Sequence, residues 1–473
     1  MSGNTNYGLG SLANNTTGIQ NSAFGEDALL NNTSGYWNTS VGAYSSSANT
    51  IGISNVSLGT NALLKNTANY NTGLGTAALC FNTTGQRNTA VGSNALQNNI
   101  DGNNNIAIGA QALYENKISN NNIAIGNFAL QKNDSSNILE GISNVAVGVN
   151  TLTNNTTGFY NIAIGEEALY TNTTGINNIA IGYRTLNQNN PTISGNGLNN
   201  IAIGSNTLKQ NTTGDTNVAI GHSSAIENTV GFGNISIGAF TLRKNVSGDT
   251  NTCIGSESLY DNISGKRNTG IGWQTLFYSQ NNNNTAIGYH AGTDTTTGQN
   301  ITCIGYEAQP SSATADNEIK LGNASISSLR CQVPLTVVSD ANDKIDFVPL
   351  NPCLNFVKLL KPITFKWKMR TTITKSYNRE NDKNDDVDID GLRDHPDIGF
   401  KAHELNTAQS DASITIPGLV NTTQITIRND LGNKETATRL EVCYSRLIPV
   451  LVKTIQELSS EIDALKSDVA ALN

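Results

Sequence analysis

Residues 161–177 read NIAIGEEALYTNTTGIN, and copies of this stretch follow one another through the first two thirds of the chain. Its residues 162–164 are apolar, with β-branched isoleucine at both ends, and suit a short strand. Gly165 ends that strand, residues 168–169 form a second short apolar segment, and residues 172–175 have the composition of a turn. The stretch predicts one coil of a parallel β-roll or β-helix, with two short strands and two turns.

The repeat has a nearly constant period. The glycine that closes each Asn-x-small-apolar-Gly motif, counted from Gly10 to Gly322, occurs in nineteen copies, mostly 17 residues apart, with two intervals of 22, two of 16 and one of 15. Such a period indicates a solenoid. At a strand spacing of about 4.8 Å, these coils form a rod on the order of 90 Å long. The two 22-residue intervals, near Leu139 and Ser194, predict side loops.

Asparagine stands four residues before the repeat glycine in the first seventeen copies. Stacked coils place these side chains above one another, so that each amide can bond to the next in an internal ladder. The predicted ladder includes Asn105, Asn122, Asn161, Asn178, Asn217 and Asn234.

The residue directly before the repeat glycine is apolar in every copy, and the residue two before it is small in every copy except the last. In a strand these two side chains point to opposite faces. We therefore expect the small residue to mark a second packed face, where another chain approaches. This expectation favours a homotrimer, and a monomeric solenoid is the alternative.

Charge divides the chain near residue 322. Residues 1–322 hold 28 of the 66 Asp, Glu, Lys and Arg residues, and the remaining 151 residues hold 38. The net charge of −8 provides no basic field for nucleic acid. The six cysteines lack the spacing of a zinc site or a dense disulfide framework. The sequence predicts no cofactor, no secretion signal and no membrane span.

Four blocks follow the repeats in a fixed order, at residues 339–344, 360–368, 398–405 and 444–458. Together they resemble the intramolecular chaperone domain that lies behind phage endosialidases, tail spikes and neck appendages, and that has a relative in myelin regulatory factor. The repeats resemble the heads of trimeric autotransporter adhesins and the β-solenoid shafts of viral tail fibres.

The resemblance implies a C-terminal domain that trimerises, helps the rod to fold and then cuts itself off. It assigns Ser339 as nucleophile and Lys344 as base, with cleavage between Ser339 and Asp340. A serine hydroxyl needs such a base, and a lysine can act as one when its pKa is lowered towards neutrality. Asn342 and His403 depart from the family pattern, which has Arg and Gln there. The alternative is a trimerisation cap that never cleaves.

The predicted organisation is a mainly β homotrimer: a β-solenoid shaft over 1–322, a connector over 323–338, an α+β chaperone and autoprotease domain over 339–443, and a coiled-coil helix over 444–473. An apolar seam with alternating spacings of three and four predicts the helix. Its members are Ile448, Leu451, Ile455, Leu458, Ile462, Leu465, Val469 and Leu472. β-branched residues at a with Leu at d favour two strands, whereas the family architecture implies three.

Three weaker site candidates remain. Asp386, Asp388 and Asp390 match the opening of a calcium loop, and the alternative is a solvated acidic hairpin with an Asp-Gly tip at 390–391. The recurrent Asn-x-Thr motifs are either glycan acceptors or plain turn residues.

Aromatic and histidine side chains follow the repeat glycine in a few coils. Tyr183, Trp273 and Tyr289 could form an outer stripe that contacts glycans, or could be ordinary surface side chains. We expect His222 and His290 to face solvent.

These features favour a structural viral fibre or spike protein, made in the host cytoplasm and displayed on the virion surface for host attachment. Its partners would be further copies of itself and a host-surface glycan or receptor, with neither nucleic acid nor membrane insertion. The alternatives are a bacterial-type trimeric surface adhesin and a polysaccharide-degrading rod. The rod enzyme would need clustered carboxylates on one face, and the pair Glu166 and Glu167 does not recur at stacked positions.

Overall fold

The computed structural model describes residues 3–134, 137–191, 196–326, 329, 349–365, 368–369, 374–378, 383–387, 391–392, 397–428 and 434–472. The chain divides into two compact units, Met1–Asn323 and Ala324–Asn473. The first unit consists of short strands and turns, and the second combines helices with antiparallel strand pairs.

The first unit is a parallel β-solenoid with one three-residue strand in each coil. Each strand pairs in register with the strand of the next coil, so that Ile162 lies opposite Ile179. The predicted solenoid of repeats about 17 residues apart is therefore confirmed. Its strands are β1 Thr5–Tyr7, β2 Ser22–Phe24, β3 Thr39–Val41, β4 Val56–Leu58, β5 Thr72–Leu74, β6 Thr89–Val91, β7 Ile106–Ile108, β8 Ile123–Ile125, β9 Val145–Val147, β10 Ile162–Ile164, β11 Ile179–Ile181, β12 Ile201–Ile203, β13 Val218–Ile220, β14 Ile235–Ile237, β15 Thr252–Ile254, β16 Thr269–Ile271, β17 Thr285–Ile287, β18 Thr302–Ile304 and β19 Ile319–Leu321.

The second apolar segment of each coil is a turn, so the prediction of two strands per coil is wrong. In the coil of β10, Glu167 and Leu169 have φ angles of 55° and 51°. Left-handed backbone at alternate residues prevents an extended strand. It also lets the adjacent Ala168 and Leu169 both point inwards, whereas neighbouring residues of a strand would face opposite sides.

The core is a column of small residues and leucines inside the coils. Ala163, Ala168 and Leu169 are each 0% exposed, and their counterparts repeat along the rod. The small residue two before the glycine therefore packs within its own chain, and the prediction that it faces another chain is wrong. It is the middle residue of the strand, so its neighbours Ile162 and Ile164 point outwards, with exposed fractions of 37% and 39%.

The first coil begins two residues earlier than the sequence pattern places it. Tyr7 pairs with Phe24, so the equivalent of Gly25 is Gly8 and not Gly10. Gly8 also has the φ of about 130° that is typical of the repeat glycines, at 126°. Apolar-glycine pairs occur at both 7–8 and 9–10, and only the backbone pairing distinguishes them.

The two longer coils accommodate their extra residues in the turn. Asn133 and Asn189 each lie seven residues after a repeat glycine. Asn133 donates to the carbonyl of Gly141 and Asn189 to that of Gly197, each eight residues later, whereas the separation is three in ordinary coils. The strands on either side remain paired. Ser194 lies outside the described residues.

The described residues of the second unit form three helices and four antiparallel strand pairs. The helices are α1 Leu354–Leu359, α2 Ala402–Asp411 and α3 Leu447–Leu472, with a 3₁₀ turn Tyr444–Arg446 before α3. The pairs are β20 Ile363–Phe365 with β25 Asp397–Gly399, β21 Lys368–Met369 with β24 Gly391–Leu392, β22 Thr374–Asn378 with β23 Lys383–Val387, and β26 Val420–Arg428 with β27 Lys434–Val442. Phe356 of α1, Leu405 of α2 and Val450 of α3 meet in its small core.

Candidate functional site

The asparagines four residues before the repeat glycine form a column of buried side chains. Asn105, Asn122, Asn161, Asn178, Asn217 and Asn234 all belong to it. Asn161 Oδ1 accepts the backbone N–H of Asn178 at 3.0 Å, and Asn161 Nδ2 donates to the carbonyl of Gly175 at 2.9 Å. The column therefore joins the start of each strand to the turn across the coil through main-chain groups. Many of its amides also bond directly to one another, as Asn161 Nδ2 donates to Asn144 Oδ1 at 3.1 Å.

The same geometry identifies the ladder residue of the first coil. Asn4 Oδ1 accepts the backbone N–H of Asn21 at 2.8 Å, and Asn4 Nδ2 donates to the carbonyl of Gly18 at 2.9 Å. Asn6, which the sequence pattern selects, instead donates to the carbonyl of Ser11.

A second column of asparagines lies seven residues after the repeat glycine, from Asn15 to Asn262. Here one amide donates directly to another: Asn172 Nδ2 lies 3.0 Å from Asn155 Oδ1 and 3.2 Å from the carbonyl oxygen of Gly175. The sequence composition predicts these residues only as turn formers. Their recurrence at a fixed place in the repeat was the signal that could have identified them.

This second column also bears on the Asn-x-Thr motifs. Asn172 begins such a motif, yet its side chain is 0% exposed and its Nδ2 makes two hydrogen bonds. A glycan could attach to that nitrogen only after the coil opened. The geometry therefore favours the turn interpretation of these motifs.

The outward side chains of β7–β14 form an apolar surface that we call the outer strand face. The first and third residues of these eight strands are all Ile or Val, and none of them is buried. Eight strands at a spacing of about 4.8 Å extend this surface over about 34 Å. In β15–β18 the first residue of the strand is Thr, so the surface becomes more polar towards that end.

Helix α3 carries a second exposed apolar surface. The eight seam residues Ile448, Leu451, Ile455, Leu458, Ile462, Leu465, Val469 and Leu472 are between 40% and 87% exposed. Leu447, Val450 and Thr454 lie on another side of the helix and are buried. The start of α3 thus packs on its own unit while the seam faces outwards.

Glu457 fixes α3 against α1. Its carboxylate accepts the backbone N–H groups of Cys353, at 3.0 Å, and Leu354, at 2.9 Å. Carboxylates stabilise the N-terminal end of a helix because the first N–H groups there have no partner within the helix.

The predicted cleavage site lies outside the described residues, which include none of Ser339, Asp340, Asn342 and Lys344. His403 is an exposed residue in the first turn of α2. Self-cleavage beside Ser339 therefore stays a prediction.

The acidic calcium candidate is only partly described. Asp386 lies in β23, in register with Lys375 of β22, and Asp388 and Asp390 lie outside the described residues. Over the part of the chain that the structure describes, no group of three or more His, Cys, Asp and Glu side chains could hold a metal ion.

The hairpin alternative predicts a tip at residues 390–391, of which the structure describes only Gly391. β22, which ends at Asn378, pairs with β23, which begins at Lys383. Gly391 pairs with Met369 instead of forming the tip.

Aromatic rings stack near the end of the solenoid, but in a different set from the predicted one. The centroid of Tyr289 is 5.0 Å from that of Trp273 and 5.4 Å from that of Tyr306, and both pairs are stacked. Tyr183 lies several coils away, beneath the guanidinium of Arg184. Both faces of the Tyr289 ring are covered by the neighbouring rings of Trp273 and Tyr306. This stripe therefore presents mainly ring edges to solvent.

His290 is buried, so the prediction that it faces solvent is wrong. Only 4% of it is exposed, and the rings of Trp273 and Tyr289 each lie 4.5 Å from it. Burial lowers its pKa to about 4. His222 is exposed, with the ring of Phe240 edge-on at 5.2 Å.

No protein-family model, no curated protein and no solved structure matches this chain. Across the described residues, none of the helices combines the length and the apolar character that crossing a membrane requires.

Proposed function

We propose that this protein is the self-associating shaft of a structural fibre, a homotrimer in which the outer strand faces of three copies meet. The outer strand face carries this proposal. Monomeric soluble proteins seldom expose continuous apolar patches of more than a few hundred Å², and larger ones mark interaction sites. Each coil has a thin core of alanine and leucine, so contact between copies would add substantially to the buried apolar area.

The exposed seam of α3 supports the same proposal independently. A helix with an apolar stripe at a and d positions is stabilised when it packs against equivalent helices. Two separate surfaces of one chain, on different types of secondary structure, thus favour association with further copies.

The biological setting of the proposal depends on the resemblance of the C-terminal blocks. We assign the fibre to a virion surface, where it serves host attachment or display, with a host glycan or receptor as ligand. The C-terminal unit would drive trimerisation and folding, and would cleave between Ser339 and Asp340. A bacterial-type trimeric adhesin and a non-cleaving cap are the alternatives.

Native mass spectrometry of the full chain tests the shaft proposal. We expect a trimer, and we expect the triple variant Ile162→Thr, Ile179→Thr and Ile201→Thr to dissociate at a higher concentration. Thr occupies this strand position in β15–β18, so the change preserves the coil.

A matched triple variant controls for the loss of apolar side chains. Ile100→Thr, Val246→Thr and Ile263→Thr make similar changes eight residues after the repeat glycine, where other coils carry Thr. This variant should assemble like the unmodified chain. A monomeric unmodified chain, or equal weakening in both variants, would overturn the proposal.

Denaturing electrophoresis tests cleavage separately. The chain should release residues 340–473, and Ser339→Ala should abolish this fragment. Full-length product from both chains would leave the non-cleaving cap as the function of the C-terminal unit.

A further inference from the structure

We propose that Glu461 and Lys466 of α3 pair between copies of this chain and thereby fix the helices in a parallel, in-register bundle. The inference depends on the proposed self-association and goes beyond it, since it names the partner's orientation and the residues that select it. The occupant of the α3 seam is accordingly a second copy of α3 that runs in the same direction.

The heptad positions follow from the exposed seam. With Ile448, Ile455 and Ile462 at a, the flanking g positions are 454, 461 and 468, and the flanking e positions are 452, 459 and 466. In a parallel coiled coil, a g residue of one helix lies beside the e residue five positions later on its neighbour. Glu461 therefore lies beside Lys466 of the next copy, and opposite charges at these positions set partner choice and orientation.

The two halves of α3 differ in how exposed the residues beside the seam are. At the start of the helix, the flanking residues Leu447 and Thr454 are buried against the chain's own unit. From Ser459 to Leu472 every residue is exposed. Glu461 and Lys466 lie in this exposed half, where a neighbouring helix can reach both of them.

Charge complementarity disfavours the opposite orientation in the register that brings the two Glu461 side chains together. An antiparallel pair whose midpoint falls at Glu461 would place this carboxylate beside its own symmetry mate. Like charges across an interface are unfavourable and suppress that arrangement. In a parallel trimer the Glu461–Lys466 contact would instead occur three times, once between each pair of neighbours.

Lys466 is available for this contact. Within the chain its Nζ lies 3.3 Å from Asp463 Oδ1, three residues earlier, and both side chains are at least 70% exposed. Such an exposed pair contributes little and is readily exchanged for another partner.

Charge reversal in the full chain, followed by native mass spectrometry over a dilution series, tests this inference. Glu461→Lys and Lys466→Glu should each raise the dissociation midpoint about tenfold, since three attractive contacts become repulsive. The double variant with both reversals should return to within about twofold of the unmodified chain, because the pairs are restored with opposite polarity.

Asp463→Lys is the matched control, since it makes the same change in charge at a b position outside the interface. It should leave the midpoint unchanged. Three outcomes would overturn the inference while the trimer itself persisted. Asp463→Lys and Glu461→Lys could shift the dissociation midpoint equally, or neither single reversal could shift it. The third outcome is a double variant whose midpoint does not return towards that of the unmodified chain. A monomeric unmodified chain would instead overturn the proposed function on which the inference depends.

Discussion

The coil of β10 and helix α3 differ in whether their leucine side chains are buried. Leu169 in the coil is 0% exposed, whereas Leu465 in the helix is 63% exposed. A coil buries its leucine against the coils above and below it, because the chain itself supplies those neighbours. A single helix with an apolar stripe has no such neighbour in sequence and has to find it in another chain. The solenoid core is therefore completed within one chain, and the helix seam is completed by assembly.

Polar groups follow the same division. In the solenoid, buried asparagines bind the main chain and one another across coils, so most of their amide groups are satisfied despite burial. Asn49 Oδ1 and Asn262 Oδ1 are exceptions, since neither accepts a hydrogen bond from the described residues. In the exposed half of α3, charged side chains remain in water and are available to specify a partner. The four pairs of substitutions below test how firmly this division holds.

The largest effect is expected at a repeat glycine. A Cβ at Gly165 would lie 2.5 Å from the carbonyl oxygen of Gly182, at a φ of 129° that only glycine readily adopts. Gly165→Ala should lower the free energy of unfolding by more than about 4 kcal/mol, as measured by urea denaturation. Gly233→Asn is the control, since its nearest contact is 3.5 Å away at a φ of 63° that asparagine tolerates. Equal effects of the two would contradict the close-approach argument.

A pair of leucine truncations tests the comparison directly. Leu169→Ala should lower the free energy of unfolding by about 3 kcal/mol, because it leaves a cavity in the solenoid core. Leu465→Ala should change the stability of a dissociated chain by less than about 0.5 kcal/mol, because the side chain is already exposed and alanine favours helix. Thermal unfolding of dilute protein measures both. A larger loss for Leu465→Ala would show that the seam is buried within its own chain.

Adjacent asparagines provide the next test. Asn99 Nδ2 donates to Asn82 Oδ1 at 2.6 Å and to the Gly102 carbonyl at 3.0 Å, and its Oδ1 accepts from Asn116. Asn99→Ala leaves these buried groups unsatisfied and should cost about 2–3 kcal/mol in urea denaturation. Asn98→Ala, at the half-buried residue just before it, should cost less than about 0.5 kcal/mol. Similar losses would mean that the second asparagine column contributes little to stability.

The last effect concerns pH and is the smallest of the four near neutral pH. The pKa of His290 is lowered from 6.5 to about 4 in the folded chain, so the unfolded chain binds a proton first as the pH falls. Above pH 6.5 this group should therefore leave the free energy of unfolding unaffected. As the pH falls, the group should lower that free energy by about 1 kcal/mol at pH 6 and by about 3 kcal/mol at pH 4.

His290→Asn should remove this part of the pH dependence, since asparagine holds the equivalent position at Asn94 with a similar positive φ. His222→Asn, at an exposed histidine, should retain it. The measurement is the melting temperature of the unmodified chain and of both variants at pH 7 and pH 5. If the difference in melting temperature between these pH values is unchanged in His290→Asn, a group other than His290 causes the pH dependence.

Sequence periodicity was sufficient to predict the solenoid, the parallel stacking, the asparagine column and the seam of α3. It misplaced the first coil, because Gly8 and Gly10 each follow an apolar residue and only pairing with Gly25 separates them. It also assigned a strand to the segment around Leu169, because apolar character alone does not reveal a left-handed backbone.

The sequence by itself determined that this chain stacks, since a 17-residue period with a glycine, a small residue and an asparagine at fixed places is compatible with few other architectures. Only the tertiary structure decided which side chains the stack encloses. Three-residue strands turn their middle residue inwards, and the left-handed turns bring two consecutive residues into the core, so that the isoleucines beside Ala163 are left outside. The direction of a side chain depends on backbone dihedrals and on the coil that packs against it, and neither can be read from the order of residues alone.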